Sequence, residues 1–391
     1  MNDYRSGAGR LAPELCALRE RFHRTPELGN REFHTAEAIE SYLHDLGIPT
    51  ERVTETAVVG RLTGGRPGPI AALRADMDAL PLTEATGAAF ASEVPGVMHA
   101  CGHDVHLAAA LGAARLLADR RESLPGSVVF LFQPDEEGDG GAARMIEAGG
   151  LDGVDAVFGA HVDPALPLGT VGVKYGKFYA ASDMFRITLT GRSCHGAERE
   201  KGVDALAAAA ALVPALLALP DRMADRSVVN VGTLHAGTAG NIVPGTAELT
   251  GILRTLGPDA RRSLRSLLNE ALVDNARAYG VEPSLALRPS YPGVVNDDGM
   301  TDLARAAMTE LLGAESVRVL ERPLMTTEDF GVFLERVPGT FYHIGAGCPR
   351  PLHDPAFLPA AEAVPLAAAV HAAVLTRFLE KESFPGGTAS L

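Results

Sequence analysis

Apolar residues along this chain follow two alternating spacings, one typical of helices and the other of strands. Helical spacing at residues 11–24 and 33–46 predicts two helices, and Gly47 marks the end of the second. Continuous apolar runs at 127–132 and 155–160 are typical of strands buried on both faces. This alternation predicts an α/β domain whose sheet is mostly parallel and covered by helices.

The pattern changes in the middle of the chain. Apolar and polar residues alternate at 182–190, as in a half-buried strand, and an apolar helix follows. Two more strands, a second helix and a last strand complete the order β-α-β-β-α-β, which predicts a ferredoxin-like insert with an antiparallel sheet. We therefore predict a catalytic domain formed by residues 1–177 and 295–391. It is interrupted by a smaller lid or dimerisation domain at 178–294.

Composition and charge exclude several classes of protein. A chain of 391 residues is too long for one core, since single cores stop growing near about 250–300 residues. Its 49 acidic and 35 basic residues give a net charge of −14, which disfavours binding to nucleic acid or to an anionic membrane. The most apolar stretch, 204–220, contains Pro214 and is shorter than the roughly 20 residues of a membrane span. With no apolar leader and no paired cysteine spacing, we expect a cytoplasmic protein.

Side chains that bind metals follow several of the predicted strands, where ligands of an open α/β sheet lie. Singly they are weak signals, because buried cysteine is common and glutamate is usually exposed. Together they supply a thiol, three imidazoles and a carboxylate, and this conjunction predicts a metal site. These five groups are Cys101, His103, Glu137, His161 and His353.

Five such groups, with Glu136 as a further carboxylate, exceed what one tetrahedral ion needs. Two divalent ions that share a bridging group would use them, and such a pair converts water to hydroxide and polarises a carbonyl. Glu136 would be the general base that takes the proton of this water and delivers it to a leaving nitrogen. The predicted reaction is the hydrolysis of an amide.

Ordered motifs along nearly the whole chain resemble one enzyme family. They are RFHRTPELGNREFHTAEAIESYLHDLGI (21–48), RADMDALP, MHACGHDVH, FQPDEEG, AARMIEAGG, HVDPALPLG, TTEDF and PLHDPAF. In these motifs the chain is similar to dinuclear metal amidohydrolases of the aminoacylase, hippurate hydrolase and indoleacetyl-amino-acid hydrolase type. That group belongs to the wider glutamate carboxypeptidase-like metallopeptidases.

The resemblance implies a role for each residue of the site. The five groups named above would bind two ions, of zinc, manganese, nickel or cobalt, and Cys101 would bridge them. Glu136 would be the base. The residues that orient the ligands would be Asp76, Asp78 and Asp104.

In the insert, the resemblance implies three residues that reach the substrate. Arg254 and Asn241 would hold its carboxylate, and His195 would stabilise the oxyanion from the partner subunit of a homodimer or dimer-based oligomer. Without the family, an exposed polar residue at a strand end is the better explanation of His195 and Arg254. The chain departs from the family pattern at Glu198-Arg199-Glu200, within the insert.

The predicted substrate is a small molecule, either an N-acyl amino acid or a small peptide with a free carboxylate. A first alternative is an NAD-type dehydrogenase, because residues 138–143 mimic a dinucleotide-binding turn. The acidic residues 135–137 just before this turn would repel a pyrophosphate. A second alternative is a metal-binding protein of this fold without hydrolase activity. Glu136 argues against it, since structural zinc sites are closed by four ligands with no spare base.

Overall fold

The computed structural model describes residues 2–381, which form two compact units. The larger unit contains the chain up to Gly176, Asn296–Glu321 and the chain from Val332 onward. The smaller unit contains Lys177–Val295 and Arg322–Gly331. This last segment lies outside the range 178–294 predicted for the insert.

Helices and strands follow one another along residues 2–381. The helices are α1 (Asn2–Arg24), α2 (Phe33–Asp45), α3 (His103–Ala118), α4 (Ala142–Glu147), α5 (Ala205–Leu217), α6 (Pro258–Tyr279), α7 (Asp298–Leu312), α8 (Gly331–Leu334) and α9 (Ala363–Leu379). The first strands are β1 (Thr50–Arg52), β2 (Val58–Thr63), β3 (Arg66–Asp76), β4 (Pro125–Gln133), β5 (Ala156–Asp163), β6 (Val171–Val173), β7 (Gly176–Lys177) and β8 (Ala181–Thr190). The others are β9 (Cys194–His195), β10 (Ser227–Ala236), β11 (Ile242–Val243), β12 (Thr246–Thr255), β13 (Glu282–Pro289), β14 (Val295–Asn296), β15 (Val317–Val319) and β16 (Gly339–Gly345).

The larger unit is built on an eight-stranded sheet of order β1-β2-β4-β3-β5-β16-β6-β15. Its four central strands, β4, β3, β5 and β16, run parallel, which confirms the predicted α/β fold with a mostly parallel sheet. Helices α3 and α9 pack against β3, and α1 packs on both helices. Gly112 marks the close approach of these three helices, because a Cβ there would lie 2.8 Å from Leu15 and 2.9 Å from Ala368.

The smaller unit has a four-stranded antiparallel sheet of order β10-β12-β8-β13. Alternate residues of β8, among them Phe185, Ile187 and Leu189, are buried in its core together with residues of α5 and α6. The strand order is that of a ferredoxin-like βαββαβ unit, as the alternation in the sequence predicts. Within residues 2–381, no helix combines the length and the apolar character that a membrane span requires.

Asp183 links β8 to α6 in the smaller unit. Its carboxylate accepts hydrogen bonds from Arg261 at 3.0 and 2.7 Å, and from Arg265 at 3.0 Å. Burial opposes the charge of this carboxylate, but the two guanidinium groups outweigh it and hold the pKa of Asp183 below its usual value. The carboxylate therefore stabilises the folded state when it is ionised.

Asp183→Ala is expected to lower the free energy of unfolding by about 2 kcal/mol at pH 7, since both arginines lose their partner but keep some contact with water. Because the folded pKa is depressed, this contribution is complete above the unfolded pKa of about 4 and is lost as the pH falls through the folded value. Urea unfolding at pH 7 and at pH 3 should show a difference between wild type and variant that shrinks in acid. A difference of equal size at both pH values would contradict this account.

Candidate active site

Cys101, just before α3, lies at the centre of the predicted ligands in the larger unit. Its Sγ is 3.3 Å from Nε2 of His161, at the end of β5, and 3.3 Å from Nε2 of His353. The ligand atoms of Cys101, His103 and His161 all lie within 4.8 Å of one another, and so do those of Cys101, Glu137 and His353. The structure thus brings all five predicted ligands together, in two sets of three that share only Cys101.

Two of the histidines are held so that Nε2 faces the cluster. Nδ1 of His103 lies 2.8 Å from the carbonyl oxygen of Asp78, and Nδ1 of His161 lies 2.8 Å from that of Val162. Because a carbonyl only accepts, each Nδ1 donates its proton, and Nε2 is the nitrogen that can bind a metal once it carries no proton. Nε2 of His103 is buried and has no hydrogen-bond partner among residues 2–381. This is the orientation that metal-binding histidines adopt.

The electrostatics of the cluster favour a cation. Burial, together with the charges of Glu137 and Glu136, raises the pKa of the Cys101 thiol well above its usual value. Burial alone would lower the pKa of His103, but Asp76 and Asp78 outweigh it and raise this pKa to about 10. Negative charge thus keeps protons on the thiol and on the imidazole. A divalent cation replaces such protons when it binds, so the sulfur, nitrogen and oxygen donors of this buried cluster fit a metal site.

Asp78 holds three of the site residues in place. Its Oδ1 accepts a hydrogen bond from the backbone N–H of Glu136, and its Oδ2 accepts one from that of Glu137, each at 3.0 Å. Its backbone carbonyl receives the Nδ1 proton of His103. The ligand atoms of His103, Glu136 and Glu137 lie within 4.8 Å of one another. The buried carboxylate of Glu136 is therefore adjacent to the proposed ligands, as a general base requires.

Asp76 contacts the cluster directly, with Oδ2 3.7 Å from Nε2 of His103, and also through His106, which is not among the predicted site residues. Asp76 Oδ1 lies 2.6 Å from Nδ1 of His106, and Oδ2 accepts from Arg74 at 2.6 Å. Nε2 of His106 accepts the backbone N–H of Val162 at 3.0 Å, next to His161. The sequence feature that could have identified His106 as a site residue is its position three residues after His103, which places both on one face of α3.

Asp104, the third predicted orienting residue, points toward α1. It lies 2.7 Å from Nδ1 of His23 and accepts a hydrogen bond from Nε of Arg19 at 2.5 Å. Burial opposes its charge, but Arg19 and His23 outweigh burial and hold the pKa of Asp104 well below its usual range. These contacts fix the start of α3, where Asp104 follows His103, and they act on the ligands only through the backbone.

His195 and Asn241 are neighbours in the smaller unit. His195 in β9 pairs with Ile242 of β11, and the N–H of Gly196 donates to the carbonyl of Asn241 at 2.7 Å. The N–H of Ala197 donates to Nδ1 of His195 at 3.1 Å, so the neutral ring carries its proton on Nε2. Both side chains are exposed and line a groove of about 760 Å³. His195 thus presents a hydrogen-bond donor to this groove.

Arg254 on β12 has unused donors. Its Nε and Nη1 are buried and have no hydrogen-bond partner within the part of the chain that the structure describes. Burial lowers the pKa of this guanidinium group. Buried guanidinium donors without an acceptor are costly, and a carboxylate that accepts two hydrogen bonds would compensate for this cost.

The departure at residues 198–200 forms local ion pairs on the surface of the smaller unit. Glu198 accepts from Lys201 at 2.6 Å, and Arg199 donates to Asp204, the N-cap of α5, at 2.7 Å. Exposed pairs of this kind contribute little to stability.

The fold and the site together define a class of protein, namely a metal-dependent hydrolase of the amidohydrolase and peptidase type. Residues 72–377 match the model of peptidase family M20/M25/M40, and the chain belongs to this family. The predicted relationship to dinuclear metal amidohydrolases is thereby confirmed. The family match gives no support to the alternative of an NAD-type dehydrogenase.

Individual relatives cover almost the whole chain. N-acetylcysteine deacetylase of Bacillus subtilis is 36% identical over 371 residues, which span 94% of this chain and 97% of that protein. Thermostable carboxypeptidase 1 of Saccharolobus solfataricus is 35% identical over 380 residues, or 94% and 96% of the two chains. The crystal structure of the Bacillus subtilis YXEP protein, a dinuclear metal binding peptidase from the M20 family, is 34% identical. It superposes with a TM-score of 0.86 and covers 95% of this chain and 99% of its own.

Proposed function

We propose that this enzyme hydrolyses the amide bond of N-acyl amino acids, or of small peptides, that carry a free carboxylate. The observation that carries the proposal is the pair of ligand sets that share Cys101, with Glu136 beside them. The names of the relatives agree with it, since one is a deacetylase of N-acetylcysteine and another a carboxypeptidase. Both names describe the cleavage of an amide close to a carboxylate.

The proposed metal ligands are Cys101, His103, Glu137, His161 and His353. Two divalent ions, of zinc, manganese, nickel or cobalt, would supply a lowered pKa for water and polarisation of the amide carbonyl. The protein contributes ligand orientation, because Asp78 and the carbonyl of Val162 fix the rings of His103 and His161. It also excludes bulk water, since His103 and Cys101 are buried.

In this proposal, Glu136 is the residue that transfers the proton. One of its carboxylate oxygens takes the proton of the attacking water and then delivers it to the leaving nitrogen. Nε2–H of His195, supplied by the partner subunit of a homodimer, donates a hydrogen bond to the oxyanion that develops on the carbonyl oxygen. Arg254 and Asn241 bind the substrate carboxylate, so the scissile amide is held at a fixed distance from it.

Arg254→Met is expected to lower kcat/KM by about 10- to 100-fold for substrates with a free carboxylate, because a charged hydrogen-bonded pair is lost. On substrates whose carboxylate is capped as an amide, kcat/KM of the variant should be close to that of wild type, because wild type cannot use the contact with Arg254 on them either. The matched control is Arg186→Met, which removes an exposed arginine paired with Glu248 in the same sheet. An equal loss on free and capped substrates would contradict the role of Arg254.

The reaction itself is tested by amine release from N-acetyl, N-benzoyl and dipeptide substrates. Metal-stripped protein should be inactive, and zinc, manganese, nickel or cobalt should restore release. Release that needs no metal would refute the proposed mechanism. A fully metal-loaded protein that releases no amine from any substrate would favour the alternative of a metal-binding protein without hydrolase activity.

A further inference from the structure

The residue before Glu136 has an unusual backbone conformation. Asp135 has φ of 58°, in the left-handed region that a non-glycine residue enters only at a cost in backbone strain. This conformation turns the chain sharply after β4, so that Glu136 and Glu137 reach the cluster around Cys101. Something outside the turn must hold it in place.

Glu32 at the start of α2 makes that contact. Its Oε1 accepts the backbone N–H of Asp135 at 3.0 Å and the backbone N–H of Asn30 at 3.1 Å. The residue is fully buried. The carboxylate of Glu32 is not used to cap α2, because Glu27 accepts the N–H of Thr35, in the first turn of this helix, at 2.8 Å. It can therefore accept the N–H of Asp135.

The side chain of Asp135 is held from the same direction. Its Oδ2 accepts Nδ2 of Asn30 and Nη2 of Arg144, each at 2.8 Å. The packing is close, since a Cβ at Gly29 or at Gly138 would lie 2.2 Å from Oδ1 of Asp135. The turn has therefore little room to relax into another conformation.

Three successive backbone amides of the turn are thus bound by carboxylates from elsewhere in the larger unit. Glu32 binds that of Asp135, and Asp78 binds those of Glu136 and Glu137. Asp78 alone would leave the first amide of the turn unsatisfied. A buried N–H without a partner is costly enough to favour a different turn.

We propose that Glu32 is a positioning residue that acts through the Asp135 turn to aim Glu136 at the substrate and Glu137 at the metals. The inference rests on the proposed function for the role of Glu136. The contact of Glu32 with the turn stands on the geometry alone. Residues that support ligands in this way typically contribute 10- to 100-fold to affinity or activity.

The test compares Glu32→Leu with Glu32→Gln in the full-length protein. Leucine removes the acceptor, and we expect kcat and the affinity for added cobalt each to fall about 10- to 100-fold, with KM nearly unchanged. Glutamine keeps an acceptor oxygen at the same place, and burial already raises the pKa of Glu32 to about 7, so a neutral side chain is tolerated there. This variant should keep cobalt affinity and kcat close to those of wild type.

Glu27→Leu is the control for a merely structural effect. It should lower the melting temperature by weakening α2 and leave cobalt affinity unchanged. If Glu32→Leu fails to fold, Asn30→Gly serves as a second variant, because glycine tolerates the φ of 61° at this position while the bond to Asp135 is lost.

Two results would overturn the proposal. One is unchanged cobalt affinity and kcat in a folded Glu32→Leu protein, and the other is an equal loss in Glu32→Gln. A wild-type protein that binds cobalt but hydrolyses none of the substrates would refute the proposed function instead. The cobalt affinities of the variants would still decide the role of Glu32.

Discussion

Glu136→Gln is expected to lower kcat by about 10²- to 10⁴-fold while the protein keeps its metals. Glutamine has the size and shape of glutamate but cannot take a proton from water at neutral pH. The backbone N–H at this position still donates to Asp78, so the turn should keep its conformation. Neither ligand set that shares Cys101 includes Glu136. Steady-state kinetics and metal content, measured on the same preparation, separate the two effects.

Glu147→Gln is the matched control for this variant. Glu147 is an exposed glutamate at the end of α4, and its replacement should leave both turnover and metal content unchanged. If Glu136→Gln turns over at a rate near that of wild type, the general base is a different residue. If it loses its metals along with its activity, Glu136 is a ligand.

Cys101→Ala is expected to remove both metals together. Cys101 is the residue that the two ligand sets share, and its Sγ lies 3.3 Å from Nε2 of both His161 and His353. We expect metal affinity to fall by more than about 100-fold, beyond the range typical of residues that only support a ligand. Activity should fall with it. In cobalt-loaded protein, the near-ultraviolet absorption of a thiolate bound to cobalt should be present in wild type and absent in the variant.

Two further variants distinguish ligation from packing. Cys348→Ala removes the other buried cysteine of the larger unit and should keep cobalt affinity and the absorption band. Cys101→Ser keeps a small polar side chain and should lose the band while it retains weak binding. Full occupancy of two metals in Cys101→Ala would show that the thiol is not the shared ligand.

Periodicity explains why most of the fold could be predicted. The buried strand β4 and the alternating strand β8 are long enough to display their spacing, so both units were recognisable. Strands β1, β6 and β15 have three residues each, too few to show any period. Arg322–Gly331 also carries no pattern that would connect it to the smaller unit. Its place depends on contacts made after the chain has folded.

The residues that act through the backbone could not be found in the same way. Glu32 lies in a segment whose pattern predicts only the start of a helix. Nothing in the sequence shows that its carboxylate accepts a hydrogen bond from the N–H of Asp135. His106 stood beside the predicted ligands, but its bonds to Asp76 and Val162 join three separate elements. Such contacts depend on the distance between elements, which no local pattern encodes.

The sequence by itself determined which donor atoms the candidate site offers, since the kind of donor atom is a property of each residue and strand ends are visible as ends of apolar runs. It also determined the order of the elements. Only the tertiary structure decided which donors meet. Cys101 and His353 are 252 positions apart, and their contact depends on how α3 and the sheet pack. The packing also fixes which ring nitrogen of His103 faces the cluster, because the carbonyl group that takes its Nδ1 proton belongs to Asp78, 25 positions earlier in the chain.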